Sequence, residues 1–332
     1  MFTLLRTSSL FFILALTASA ASEEDISQQV DAIPGGRLVV DVDFGTIDVT
    51  SGGDNKVALE AHRKIDFGDE AREKEYFSAT PVTFTKDGNV ITVRARGSKQ
   101  ENWWNFGHSE TRGQYTIHVP KKFETDLRTD GGDVTVGEIT GSTTVKTSGG
   151  KLALKHLEGI LSANTSGGSI EVEDCRGPIK IETSGGDITV GDGTGALDAK
   201  TSGGRIEVRN FSGDTEVRTS GGNLSLQRIT GKIIGKTSGG SIDASIPDDV
   251  GGDVNLQTSA GNIDLSLSAT ATVDIDASTS GGEIFSGLPL ETTDVDNDHL
   301  RGKLNGGGES VRLETSAGNI TIKPSSSELA SR

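Results

Sequence analysis

The chain has 332 residues, room for one long domain or two ordinary ones, with 45 Gly but only 7 Pro and 2 Tyr. The Gly residues recur at fixed offsets between β-branched residues, which excludes a disordered reading and points to turns feeding short strands. Residues 21–332 hold 31 basic and 48 acidic residues, a net charge of −17; that balance argues against nucleic acid, whose phosphates need Lys and Arg.

Residues 1–20 read as a secretory signal. Arg6 supplies the positive start, Leu10 to Leu16 an apolar run too short to span a bilayer, and Ala18-Ser19-Ala20 a small-residue cleavage site. The mature chain is therefore expected to begin at Ala21, exported to the periplasm or the cell surface. No Cys near that site accepts a lipid, and no later run approaches 18 apolar residues, so no transmembrane segment is expected. Residues 21–35 are an N-terminal lead.

Residues 36–128 read as a β-rich cap continuous with the solenoid. RLVVDVDFGTIDVTSGG (37–53) carries a strand and a Ser-Gly-Gly corner, and KVALEAHRKID (56–66) a further strand. GDEAREKEYFSA (68–79) is the one helix expected, and VTFTKDGNVITVRARG (82–97) a hairpin around Asp87-Gly88. QYTIHVPKKFETDLRT (114–129) leads into the first regular repeat.

From Thr129 to Ile322 the chain repeats. Thr-Ser-Gly-Gly starts at Thr147, Thr165, Thr183, Thr201, Thr219 and Thr237, at a constant spacing. Counting from each Thr, positions 6 and 8 are apolar, as in Ile188 and Val190, with a mostly polar residue between. Positions 15 and 17 alternate likewise, and position 13 is Gly from Gly141 to Gly231. Each repeat is thus two half-buried strands and two Gly corners. An 18-residue unit cannot bury its own apolar face, but stacked units can. The fold expected is all-β: a parallel β-solenoid (β-helix) of 18-residue coils with an N-terminal β-rich cap. Its structural corner glycines are Gly149, Gly150, Gly167, Gly168, Gly185, Gly186, Gly203, Gly204, Gly221, Gly222, Gly239 and Gly240, required where a turn needs positive φ. The Thr ends a strand facing inward, and the Ser begins the corner. After Thr237 the corners recur at Thr258, Thr279 and Thr315, with extra residues in loops and an additional coil in the last, 36-residue step. Residues 323–332 are a polar tail.

A Ser beside two Gly suits a nucleophile, but a nucleophile is one special residue with a base, not six equivalents. The five His form no ladder beside the corners. Cys175, the only Cys, falls in an apolar column at position 11 and reads as a buried, inert thiol.

The order strand, FGTIDV, irregular β segment, YTIHVPKKFETDLRTDGGDVTV, TSGG-x-I-x-V repeats and final LNGGGESVRLETSAGNITI resembles the bacterial adhesin family of β-strand-repeat proteins, a domain family of unknown function. The likeness covers most of residues 36–322. It implies a β-helix-like fold and an exported or envelope-associated protein. It brings no catalytic residues.

Three stretches are candidates for contact with a ligand. The loop GSKQENWWNFGHSETRGQ (97–114) holds Trp103, Trp104, Phe106 and His108, which either stack on a glycan or an envelope protein or fold back over the end of the core. DVDND offers Asp294, Asp296 and Asp298 at alternate positions for Ca²⁺, but the sixth position is His299 and the twelfth Asn305, so it fails the EF-hand pattern and reads as a solvated acidic loop. Position 18 reads Lys146, Asn164, Glu182, Lys200, Arg218, Lys236, a basic stripe interrupted by Glu182, and reads as a solvated face. No cofactor or metal is expected. The function expected is a non-enzymatic, adhesin-like binding or structural module of the envelope; the alternatives are an envelope protein without a ligand and a polysaccharide-active enzyme on a β-helix.

Overall fold

The computed structural model describes residues 22–52, 55–97, 110–247 and 250–325. Within them, 29 strands form a back sheet of 14 and a front sheet of 15. Each regular coil gives one strand to each sheet. In the repeat from Thr183, Ile188–Thr194 joins the back and Leu197–Lys200 the front. Equal coil length puts equivalent residues side by side in parallel: Ile170, Ile188 and Ile206 at the back, Ile179, Leu197 and Thr215 at the front. Ile188, Val190, Leu197 and Ala199 all point into the space between the sheets and are buried. Burying each larger apolar side chain stabilises the stack by roughly 1.5–3 kcal/mol.

The Thr of the corner is buried, as expected, and it has a task. Thr201 Oγ1 donates to Gly186 O at 2.9 Å and accepts from Gly204 N at 3.3 Å. The same pair of bonds recurs at Thr147, Thr165, Thr183, Thr219, Thr237 and Thr258. One hydroxyl therefore closes its own corner and ties it to the previous coil. No other side chain of that size both donates and accepts without adding bulk, except Ser.

The glycines divide into three kinds, which corrects the expectation that all serve positive φ. Position 13 does: φ is 126° at Gly195 and 136° at Gly213. The second corner Gly does not need it in the regular repeats. There the coils approach so closely that a Cβ on Gly204 would lie 2.0 Å from Gly186 O. The first corner Gly has room, since a Cβ on Gly203 meets nothing nearer than 3.7 Å. The variant corners Thr258-Ser259-Ala260-Gly261 and Thr315-Ser316-Ala317-Gly318 put Ala at that roomy place and keep Gly at the tight one.

A second column is left-handed without Gly. Position 10 holds Glu138, His156, Asp174, Asp192, Asn210 and Arg228, with φ between 39° and 61°. Asp and Asn tolerate this region and the rest adopt it at a cost. In the coils from Thr165, Thr183, Thr201 and Thr219 they bend the back strand, whose pairing skips this residue and resumes at position 11, just before the position-13 Gly.

At both ends the stacking order departs from the sequence order. Near the C-terminus, the front strands Val254–Thr258 and Val273–Thr279 are separated by Glu309–Thr315, which pairs in parallel with both. At the back, Ile320–Pro324 lies between Ile263–Leu267 and Ile284–Ser286. The last coil in sequence is thus second to last in space. Near the N-terminus, Gly36–Val42 and Thr46–Ser51 lie between the coil of Val90–Ala95 and Glu110–Val119 and the coil of Phe123–Thr129 and Val134–Gly137. The first coil in sequence, residues 36–51, is therefore intercalated between two later ones.

Antiparallel strands finish the stack. Ser22–Asp31, in the polar lead, pairs with Lys56–Asp66; Thr83–Asp87 forms the expected hairpin with Val90–Ala95; Glu291–Val295 covers His299–Leu304. Charged side chains on such edge strands discourage further strand addition. The expected helix spans Glu70–Ala79, with Asp69 capping Ala71 N and Arg72 N. It packs Tyr76 against Phe44 and Phe67 at 6.1 and 5.8 Å between ring centroids. Burial pushes the Tyr76 phenol up to about 12. Beneath the helix, Arg63 is 1% exposed; it pairs with Glu24, donates to Thr80 O at 2.7 Å and lies 5.0 Å from the centre of the Phe77 ring.

Candidate functional site

The outward residues of the front sheet come from positions 14, 16 and 18, followed by the corner Ser at position 2. Alternation along each strand fixes this: Leu197 and Ala199 point inward, so Asp198 and Lys200 point outward. Successive coils lie roughly 4.8 Å apart, so each position becomes a column along the axis.

Two grooves run along these columns. The first, about 500 Å³, follows the corner. Ser184, Ser202, Ser220 and Ser238 form one wall, and Glu182, Lys200, Arg218 and Lys236 the other. Gln257 and Ser259 continue it into the next coil. Lys200 reaches Asp198 at 2.9 Å, and Arg218 pairs with Glu216, so in these two coils the charge of the stripe is balanced along the strand. The second groove, about 530 Å³, runs beside it and has an apolar floor. Ile160, Pro178 and Ala196 lie in its first three coils, with Lys180, Asp198 and Glu216 between the two grooves. Ile160 is 58% exposed, unusual for its size and placement. A ligand lying along the axis would meet a Ser hydroxyl at every coil, with apolar carbon beside it at Ile160, Pro178 and Ala196 and paired charge at Lys200–Asp198 and Arg218–Glu216.

The expected stripe at position 18 thus lines a groove rather than a plain solvated face. The corner Ser residues line it too, with no His in the lining. The Ser backbone serves the stack: Ser202 N donates to Ser184 O at 3.2 Å. Trp103, Trp104, Phe106 and His108 lie outside the described residues. The residues just before that stretch are well tied: Arg96 bonds Asp41 at 2.8 Å and Asp130 at 2.9 Å, and Gly97 N donates to Asp43 at 2.6 Å. Burial pushes the Asp43 carboxyl up from its ordinary value, against that bond and Arg96.

Asp294, Asp296 and Asp298 are exposed on the acidic C-terminal edge. Two of them act through the backbone: Asp296 N donates to His299 O and Asp298 O accepts from Thr279 N. Among the described residues no three His, Cys, Asp or Glu side chains converge as a metal site. Cys175 is 1% exposed, with burial raising its thiol pKa. Its column packs small against large: a Cβ on Gly193 would come 2.7 Å from the Phe211 ring.

One charged concavity was not anticipated. On the arc between the sheets, Lys121, Glu138, His156, Glu158, Asp174 and Arg176 surround about 210 Å³. His156 Nδ1 lies 3.1 Å from Asp174, and Arg176 3.7 Å from Glu158. The recurrence of Asp, Asp and Asn at position 10 was the available signal, since those residues favour the left-handed turn that gathers these side chains.

The profile of the Toastrack domain, DUF4097, matches residues 37–323. The chain belongs to the Toastrack family. That span takes in both grooves and the arc. No curated protein matches the sequence. Among solved structures, a candidate adhesin from Bacteroides fragilis aligns over 92% of this chain and 98% of its own, with 14% identity and a TM-score of 0.31. A candidate adhesin from Parabacteroides merdae aligns over 91% and 96%, with 11% identity and a TM-score of 0.33. A candidate lipid-binding protein from Parabacteroides distasonis aligns over 91% and 96%, with 12% identity and a TM-score of 0.29. At these scores the likenesses carry no argument about a ligand. No described helix is long and apolar enough to cross a membrane.

Proposed function

We propose that this Toastrack protein is an exported, non-catalytic binding module of the bacterial envelope that holds an extended polymer, a glycan above all, along its front sheet. The observation that carries this reading is the pair of parallel grooves, in which Ser hydroxyls recur coil after coil beside the paired charges of Lys200 and Arg218 and the apolar carbon of Ile160, Pro178 and Ala196. Many weak contacts at fixed spacing favour a long ligand over a compact one. Export is supported by the signal-like segment 1–20. The Trp103–Trp104 stretch is proposed as a second contact.

The test is a binding titration of residues 21–332 against glycans and envelope fractions, beside two variants. Replacing Lys200, Arg218 and Lys236 with Gln should weaken saturable binding at least tenfold while the chain stays folded at the assay temperature. Replacing Trp103 and Trp104 with Ala should weaken it less. No saturable binding by the unaltered chain would leave a structural role instead, and release of sugar products would indicate an enzyme.

A further inference from the structure

We infer that the slot between the coil of Val254–Leu267 and the coil of Val273–Ser286 is an acceptor site for a coil supplied by a second copy of this chain. In the single chain the slot holds residues 309–324. Its walls are complete on both sides: Val254 and Ile275 both face Val311, and Ile263 and Ile284 both face Ile320. The bonds of the inserted coil run to those walls. Thr315 Oγ1 donates to Gly261 O at 2.8 Å, and Thr279 Oγ1 donates back to Gly318 O at 2.8 Å. Ser310 N and Asn319 N donate to Asp253 and Asn262 at 3.1 and 2.9 Å.

None of these bonds depends on which copy donates the coil, so exchange between two chains preserves them all. The corner chemistry also lets the slot open. Thr237, Thr258 and Thr279 are equally spaced along the chain. The Thr279 hydroxyl can therefore make with Gly261 the bond it makes with Gly318, and the walls can stack on each other while the last coil is out.

The connection that decides between the two arrangements is the turn from Leu304 to Glu309. Asn305, Gly306 and Gly307 have φ of 50°, 88° and 86°, three left-handed residues in a row. Asn305 Nδ2 holds the turn to Ala269 O and Ala271 O, each at 2.8 Å. In an exchanged pair this segment can extend and leave the left-handed region. A short, conformationally demanding hinge is the feature that favours exchange once it is perturbed.

The experiment uses the full chain with Cys175→Ala as background. One batch carries Asn255→Cys and another Arg312→Cys, residues that are direct partners across the slot. The two are mixed, concentrated, brought briefly to partial unfolding, returned to native buffer and oxidised. Exchange gives a covalent heterodimer of one chain of each kind, resolved by mass under non-reducing denaturing conditions. Gly306→Val, which has space for its side chain but an unsuitable φ, should raise the heterodimer yield about tenfold. Absence of the heterodimer with the unaltered hinge overturns the proposal, as does a yield that Gly306→Val leaves unchanged. If that variant fails to fold, the unaltered hinge decides alone: a heterodimer supports exchange, and its absence overturns it.

Discussion

Thr201 and Gly204 show how much of the fold rests on single atoms. The Thr201 hydroxyl is bonded on both sides, to Gly186 O and Gly204 N. Thr201→Val keeps the shape and removes both bonds, so it should cost about 1–3 kcal/mol in urea unfolding at unchanged slope. Gly204→Ala pushes a methyl against a backbone carbonyl and should cost about 3 kcal/mol. Gly203→Ala, one residue earlier, should stay within about 0.5 kcal/mol. Equal effects of the two Gly variants would refute the steric division of the corner. Cys175 should react with a thiol reagent at the unfolding rate and no faster, since it is buried and its pKa is raised. These residues were legible in part. The repeat named the Thr, the Ser and both Gly, and the alternation turned the Thr inward. That the second Gly answers to a close approach was not legible, because φ and distance leave the same letter in the sequence. The variant corners held the clue, with Ala260 and Ala317 marking the roomy site.

At the scale of elements, the helix and the first strand are joined by one carboxylate. Glu73 accepts from the Ser22 hydroxyl at 2.7 Å and from Phe67 N at 2.8 Å. The Ser22 bond above all holds its pKa below the ordinary 4.5. A carboxylate with a depressed native pKa stabilises the fold above its ordinary value, and that stabilisation fades as pH falls through the native value. Glu73→Gln should therefore melt below the unaltered chain at pH 6, with the gap closing as pH drops below 4.5. A gap that persists in acid would mean that shape, not charge, is what Glu73 supplies. The regular strands could be placed from sequence because every coil has the same length. The strand Ser22–Asp31 could not: SEEDISQQVD is polar, and its place is set by pairing with Lys56–Asp66. The order of the end coils could not be read either. Thr279 opens a Thr-Ser-Gly-Gly corner and Thr315 a Thr-Ser-Ala-Gly corner, but both keep the Thr hydroxyl and the Gly at the tight place, so either corner can stack on Thr258.

At the scale of the whole molecule, a stack of equal coils turns one outward residue into a line of them. That makes the front sheet a ruler with a mark roughly every 4.8 Å, and the grooves lie along that ruler across the coils from Ile160 to Ser259. The stripe at position 18 was visible in the sequence, but the groove was not, because its walls come from neighbouring columns and its depth from the backbone corner. The most direct test of the repeated face is the affinity of the chain for oligomers of graded length, drawn from whichever envelope glycan binds it. Affinity should climb with each added unit until the oligomer spans about five coils, roughly 20 Å, and then level off. An affinity that is the same for the shortest and longest oligomers would contradict this, since a single compact pocket, not the repeated face, would then be the site.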